Sequence, residues 1–125
     1  MPTSPAVLAL PRGERLRRAA EFQAVFQHGS RLEGPSFVVL WRRAESRRAG
    51  FAVSRQVRGA AQRNRARRRI REAYRQVREL IPADVGLVVV ARASAATRPF
   101  AELVEDMRRL AESLARASRA TAAER

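Results

Sequence analysis

The chain has 125 residues, with 26 basic against 12 acidic and a net charge of +14; every basic residue is an arginine. That length fits one domain with a modest core, and 46% hydrophobic residues exclude wholesale disorder. Cysteine is absent, which excludes disulfides, thiolate metal sites and a cysteine nucleophile, and His28 as the only histidine argues against zinc sites and histidine-based catalysis.

Residues 1–13 carry three prolines and a glycine and read as a flexible leader, too short and uncharged in its first ten residues for a signal peptide. Arg15, Arg17 and Arg18 form a first basic cluster. Ala19 to Gln27 reads as a helix with Phe22, Val25 and Phe26 on one face, ended by Gly29. His28 then suits a helix terminus, where the dipole favours it. Arg31–Glu33 reads as a short strand and Gly34-Pro35 as a turn. Ser36 to Arg42 and Ala49 to Ser54 read as strands, joined by the polar stretch Ala44–Arg48. Arg42, Arg43, Arg47 and Arg48 read as the solvated rim of that connection. Trp41 fits either the core or a stacking role.

From Arg63 to Arg78, eight of sixteen positions are arginine. Yet Ala66, Ile70, Ala73, Val77 and Leu80 recur at three- and four-residue steps, which predicts a helix from about Gln62 to Leu80, stopped by Pro82. Eight arginines against Glu72 and Glu79 exceed what intrahelical pairing can use. The apolar run Leu87–Ala91 reads as a buried strand. Pro99 opens a helix to about Ala117, with Thr97 as a possible cap and Glu102, Glu105 and Asp106 near its positive end. Phe100, Leu103, Val104, Met107, Leu110 and Leu114 form its inner stripe, and residues 118–125 read as a frayed tail.

The order α-β-β-β-α-β-α predicts an α/β chain (an α+β sandwich), a four-stranded sheet packed with helices in one domain over residues 14–117. The general rule for a βαβ crossover predicts a right-handed one. The charge calls for a polyanion, and nucleic acid leads because arginine forks match phosphates. A membrane-surface role is the weaker reading, since the helix stripe is alanine-rich. No apolar run approaches the roughly twenty residues that span a bilayer, so a cytoplasmic protein is expected.

Three blocks resemble the protein subunit of bacterial ribonuclease P: Leu16-Arg-Arg18 before Glu21-Phe-Gln-Ala-Val-Phe-Gln-His-Gly29; Gly50-Phe-Ala-Val-Ser-Arg55 before Arg63-Asn-Arg-Ala-Arg-Arg-Arg-Ile-Arg71; and Asp84 with Leu87-Val-Val-Val-Ala-Arg92. The resemblance covers about Leu10 to Leu114. It implies a left-handed crossover, overriding the general rule, and a protein cofactor of a ribonucleoprotein whose RNA performs catalysis. Its substrate would be precursor tRNA, cut to release the 5′ leader. Magnesium would be held by RNA rather than by this protein, and neither DNA nor a membrane would be a partner. The sequence departs from the family at Gln56, Arg58 and Ala61. It also has Trp41 where the family sets an aromatic near Leu40, one residue away and on the opposite face if the register holds.

Leaders vary in sequence, so their binding calls for aromatic faces and phosphate-tracking cations. Phe22, Phe26 and Arg55 are the expected leader contacts. Paired aromatics at this spacing ordinarily pack inward, and the resemblance shifts that balance for at least one of them. Arg63, Asn64, Arg65, Arg67, Arg68 and Arg71 are the expected contacts to the catalytic RNA, with Asn64 able instead to cap its helix. The competing account is a ribosomal-type or chaperone-like RNA-binding module with no part in tRNA processing. That module would show no leader-dependent gain in affinity.

Overall fold

Alternation along the strands divides the apolar residues between two faces of one sheet. In the computed structural model, which describes residues 19–123, β1 (Ser30–Glu33), β2 (Phe37–Arg43), β3 (Arg48–Val53) and β4 (Val85–Ala91) form a sheet in the order β1-β2-β4-β3. Phe37, Val39 and Trp41 of β2 point to one side with Val85, Leu87, Val89 and Ala91 of β4. There they bury against α2 (Ala60–Val77) and α3 (Phe100–Ala123). Val38, Leu40 and Val88 point to the other side and meet Val25 of α1 (Ala19–His28). Trp41 is thus a core residue, and one residue of register decides it.

β4 runs antiparallel to β2 and parallel to β3. Ala91 turns its side chain toward α2, while its carbonyl accepts the Ser54 N–H at 2.9 Å. For L-residues this fixes the sense of the crossing. Viewed from α2 with β4 running upward, β3 lies to the right, so the chain passes from right to left through a helix in front of the sheet. The crossover is left-handed, as the resemblance implies and against the general rule.

Gly29 ends α1 where its N–H donates to the Val25 carbonyl at 2.9 Å. A Cβ there would sit 2.4 Å from that same oxygen, so no larger residue fits without a shift. The basic helix starts at Ala60, earlier than its pattern predicts, behind Gly59 at φ 88°. It gives way to a 3-10 turn over Arg78–Leu80. Leu80 ends the predicted stripe on the surface rather than in the core.

The last helix departs most from expectation. Thr97 ends a 3-10 helix (Ala93–Ala96) instead of capping α3, and α3 continues past Ala117 to Ala123. Ser118, expected in the frayed tail, is buried. Phe100, expected in the inner stripe, is 37% exposed and lies under the guanidinium of Arg69, 5.8 Å from the ring centre. Ala111 joins Leu103, Met107 and Leu114 in the core. Asp106 is not a simple terminus acid: it is buried and pairs with Arg98 at 3.0 Å. The leader 1–13 and the cluster Arg15–Arg18 lie outside the described residues.

Candidate RNA interface

α1 covers only part of its sheet face. Beyond it lies a half-open groove of about 650 Å³, lined by Phe26, Val38, Leu40 and Val90. Arg31, Arg92, Ser54, Gln56 and Ser94 stand around these apolar residues. Ser94 Oγ lies 3.0 Å from Ser36 Oγ, which ties the wall to the start of β2. Outside the groove, Glu33 accepts from Arg31 at 2.7 Å and lies 3.5 Å from Arg92. The hydrogen bond and charge of Arg31, with Arg92 adding to them, hold the Glu33 carboxyl below the usual glutamate range.

Of the two phenylalanines expected in a cleft, the structure separates the roles. Phe26 is 46% exposed and lines the groove. Phe22 is half-buried against the cluster of Val25, Val38, Leu40 and Val88, beneath α1. Arg55 is exposed but does not line the groove; its neighbours Ser54 and Gln56 do. Arg31, Gln56, Arg92 and Ser94 escaped the sequence reading. They come from three distant stretches of chain, and no local pattern could unite them.

The arginines of α2 also divide. Arg67, Arg68 and Arg71 are exposed, as is Asn64, and none has a hydrogen-bond or ion-pair partner among the described residues. Asn64 sits beyond the first turn, so it does not cap the helix. Arg65 donates from Nε to the Ala96 carbonyl at 2.6 Å and is otherwise exposed. Arg69 binds the carbonyls of Ala95 and Arg98. Arg63 turns inward: Nη1 donates to the carbonyls of Ser54 at 2.9 Å and Val57 at 3.0 Å.

The β2–β3 arginines are not a solvated rim. Arg43 binds Asp84, Arg47 donates to the Ile81 carbonyl at 2.9 Å, and Arg48 pairs with Glu21 at 2.9 Å. Arg42 reaches the Ala24 carbonyl at 3.5 Å, at the limit of a hydrogen bond. His28 is exposed in the last turn of α1, as a helix-end residue should be.

A helix that presents the unpartnered Arg67, Arg68 and Arg71, together with an apolar, arginine-edged groove, is the surface of a nucleic-acid-binding protein. Residues 10–115 match the Ribonuclease P family. The chain is 42% identical over 105 residues to the ribonuclease P protein component of Acidothermus cellulolyticus, covering 81% of this chain and 88% of the relative. It is 41% identical over 115 residues to that of Desulfovibrio desulfuricans, covering 84% and 88%. Among solved structures, the RNase P protein from Thermotoga maritima superposes with a TM-score of 0.70 at 30% identity, over 80% of this chain and 96% of that one. The RNase P protein from Staphylococcus aureus gives 0.65 at 25%, over 83% and 93%. The chain belongs to the ribonuclease P family as its bacterial protein subunit. It is the protein cofactor of a tRNA-processing ribonuclease, and its partner is the ribonuclease P RNA.

Proposed function

We propose that the protein holds the single-stranded 5′ leader of precursor tRNA in the groove and the catalytic RNA along the outer side of α2. The observation that carries this reading is Phe26, a large aromatic left exposed in an apolar groove that is edged by arginines. A base can stack on such a ring whatever its identity, while Arg31 and Arg92 follow the phosphates. Phe22 helps seat α1, which carries that ring, against the sheet, and Arg55 reaches phosphates beyond the groove. Asn64, Arg65, Arg67, Arg68 and Arg71 present a rigid array to a structured RNA.

The chemistry belongs to the RNA. Magnesium in the holoenzyme is assigned to RNA phosphates, whose oxygens suit a hard cation that keeps several of its waters. Arginine and magnesium both offset repulsion between two RNAs. The protein therefore lowers the magnesium needed for cleavage. No described helix is long and apolar enough to cross a membrane, and a cytoplasmic site of action fits the substrate.

The test is cleavage of a leader-bearing precursor tRNA by the cognate catalytic RNA at low magnesium, with and without this protein. Cleavage at the mature 5′ end only with protein supports the reading. RNA binding without rescue of cleavage favours a general RNA-binding module.

A further inference from the structure

The turn Ser54–Val57 joins the two halves of the interface. Ser54 and Gln56 stand in the groove, Arg55 is exposed between them, and Val57 is buried in the core. The Ser54 N–H is spent on Ala91, and the Ser54 carbonyl accepts the Val57 N–H at 3.1 Å. Ser54 Oγ accepts the Gln56 N–H at 3.2 Å. Across this turn lies the half-buried Arg63, donating to the carbonyls of Ser54 and Val57 and, at 3.4 Å, of Val53. Its own N–H closes the first turn of α2 on Gly59 at 3.0 Å.

We infer that Arg63 is a positioning residue for the leader groove rather than a contact to the catalytic RNA. A guanidinium presents its donors in a fixed fork, and here that fork gathers three carbonyls of one turn. Nη1, shared between two of them, has little left for a phosphate. Loss of the fork frees the turn that sets Ser54 and Gln56 in the groove wall. The damage therefore falls on leader binding, although the residue belongs to the arginine helix. The inference rests on the groove being the leader site.

The experiment compares Arg63→Gln, Arg63→Lys and Arg68→Gln in the full chain, with Phe26→Ala as the control for the groove. Two quantities are read: affinity for the catalytic RNA across a salt series, and holoenzyme affinity for precursor tRNA with and without its leader. A lost phosphate contact lowers the salt slope by about one unit, as expected for Arg68→Gln. Arg63→Gln should leave that slope unchanged and reduce the leader-dependent gain about tenfold, the effect of losing one charge-assisted hydrogen-bond set. Arg63→Lys keeps the charge but not the fork, so it too should lose leader affinity at an unchanged slope. It carries the test if the glutamine variant does not fold.

A salt slope reduced in Arg63→Gln, with equal losses for leader-bearing and leaderless RNA, overturns the inference. So does full leader affinity in Arg63→Lys. If Phe26→Ala removes the leader gain and neither Arg63 variant does, only the positioning role fails. If Phe26→Ala has no effect on the leader gain, the groove reading itself fails and takes this role with it.

Discussion

Arg43 Nη1, at the end of β2, donates to Asp84 Oδ2, ahead of β4, at 2.5 Å. The same guanidinium donates from Nη2 to the Ser118 carbonyl at 2.8 Å, so one side chain joins two sheet ends and α3. Arg43→Ala should cost about 2 kcal/mol of stability, because it removes both contacts from a half-buried site. Asp84→Asn, at a more exposed position, should cost under about 1 kcal/mol. Denaturant unfolding of the free protein checks both. Losses confined to RNA affinity would show that Arg43 serves the interface instead.

Phe26 and Phe22 should part company on substitution. Phe26→Ala should remove roughly 1–3 kcal/mol of leader-dependent binding, the worth of one stacked base, with little change in unfolding midpoint. Phe22→Ala should instead lower stability, since Phe22 packs on Val25, Val38, Leu40 and Val88. Equal effects of both on precursor and mature tRNA would contradict a leader groove.

Glu33 occupies two arginines that line the groove. Leader phosphates must compete with its carboxylate, so Glu33→Gln should tighten leader-bearing precursor about twofold to fivefold, in keeping with an exposed ion pair. A weakened leader affinity would mean that Glu33 orients Arg31 and Arg92 instead. The pH dependence has a defined sign. The Glu33 pKa is depressed in the fold, so its pairing contributes above the ordinary glutamate range and is lost as pH falls through the lowered value. Titration of the Glu33 carboxyl by NMR should show protonation below the usual glutamate range.

Ile70 is fully buried under the arginine helix. Ile70→Ala should cost about 2–5 kcal/mol, the range for truncating a buried aliphatic side chain. In enough denaturant to unfold this variant but not the parent chain, RNA affinity should fall even though all 26 basic residues remain. Unchanged affinity by filter binding would show that charge alone, without the helix, accounts for the interaction.

Periodicity carried most of the fold. The stripe Ala66, Ile70, Ala73 and Val77 is the buried face of α2, and the apolar run at Leu87 is the central strand. What failed was the fate of individual arginines. Arg43, Arg47, Arg48 and Arg63 all read as surface charge, yet each donates to a group brought near by the fold. An arginine can bury its stem and still satisfy its head on backbone carbonyls, and sequence spacing does not reveal which carbonyls will be there. The groove was equally hidden. Arg31, Gln56 and Arg92 meet only because β1 and β3 flank the pair β2 and β4. Phe100 misled for another reason: it keeps the helical stripe, but the first turn of α3 lies beyond the core edge under Arg69.

β4 is the last strand to be synthesised, yet it lies between β2 and β3. While a ribosome is still translating, β3 has no neighbouring strand, and β2 has only the short β1 beside it. The arginine helix is thus complete before the sheet that will seat it. Val90, Arg92 and Ser94 of the groove emerge later still. Synthesis proceeds from the N-terminus, so the nascent chain displays its affinity for polyanions first and acquires its groove last.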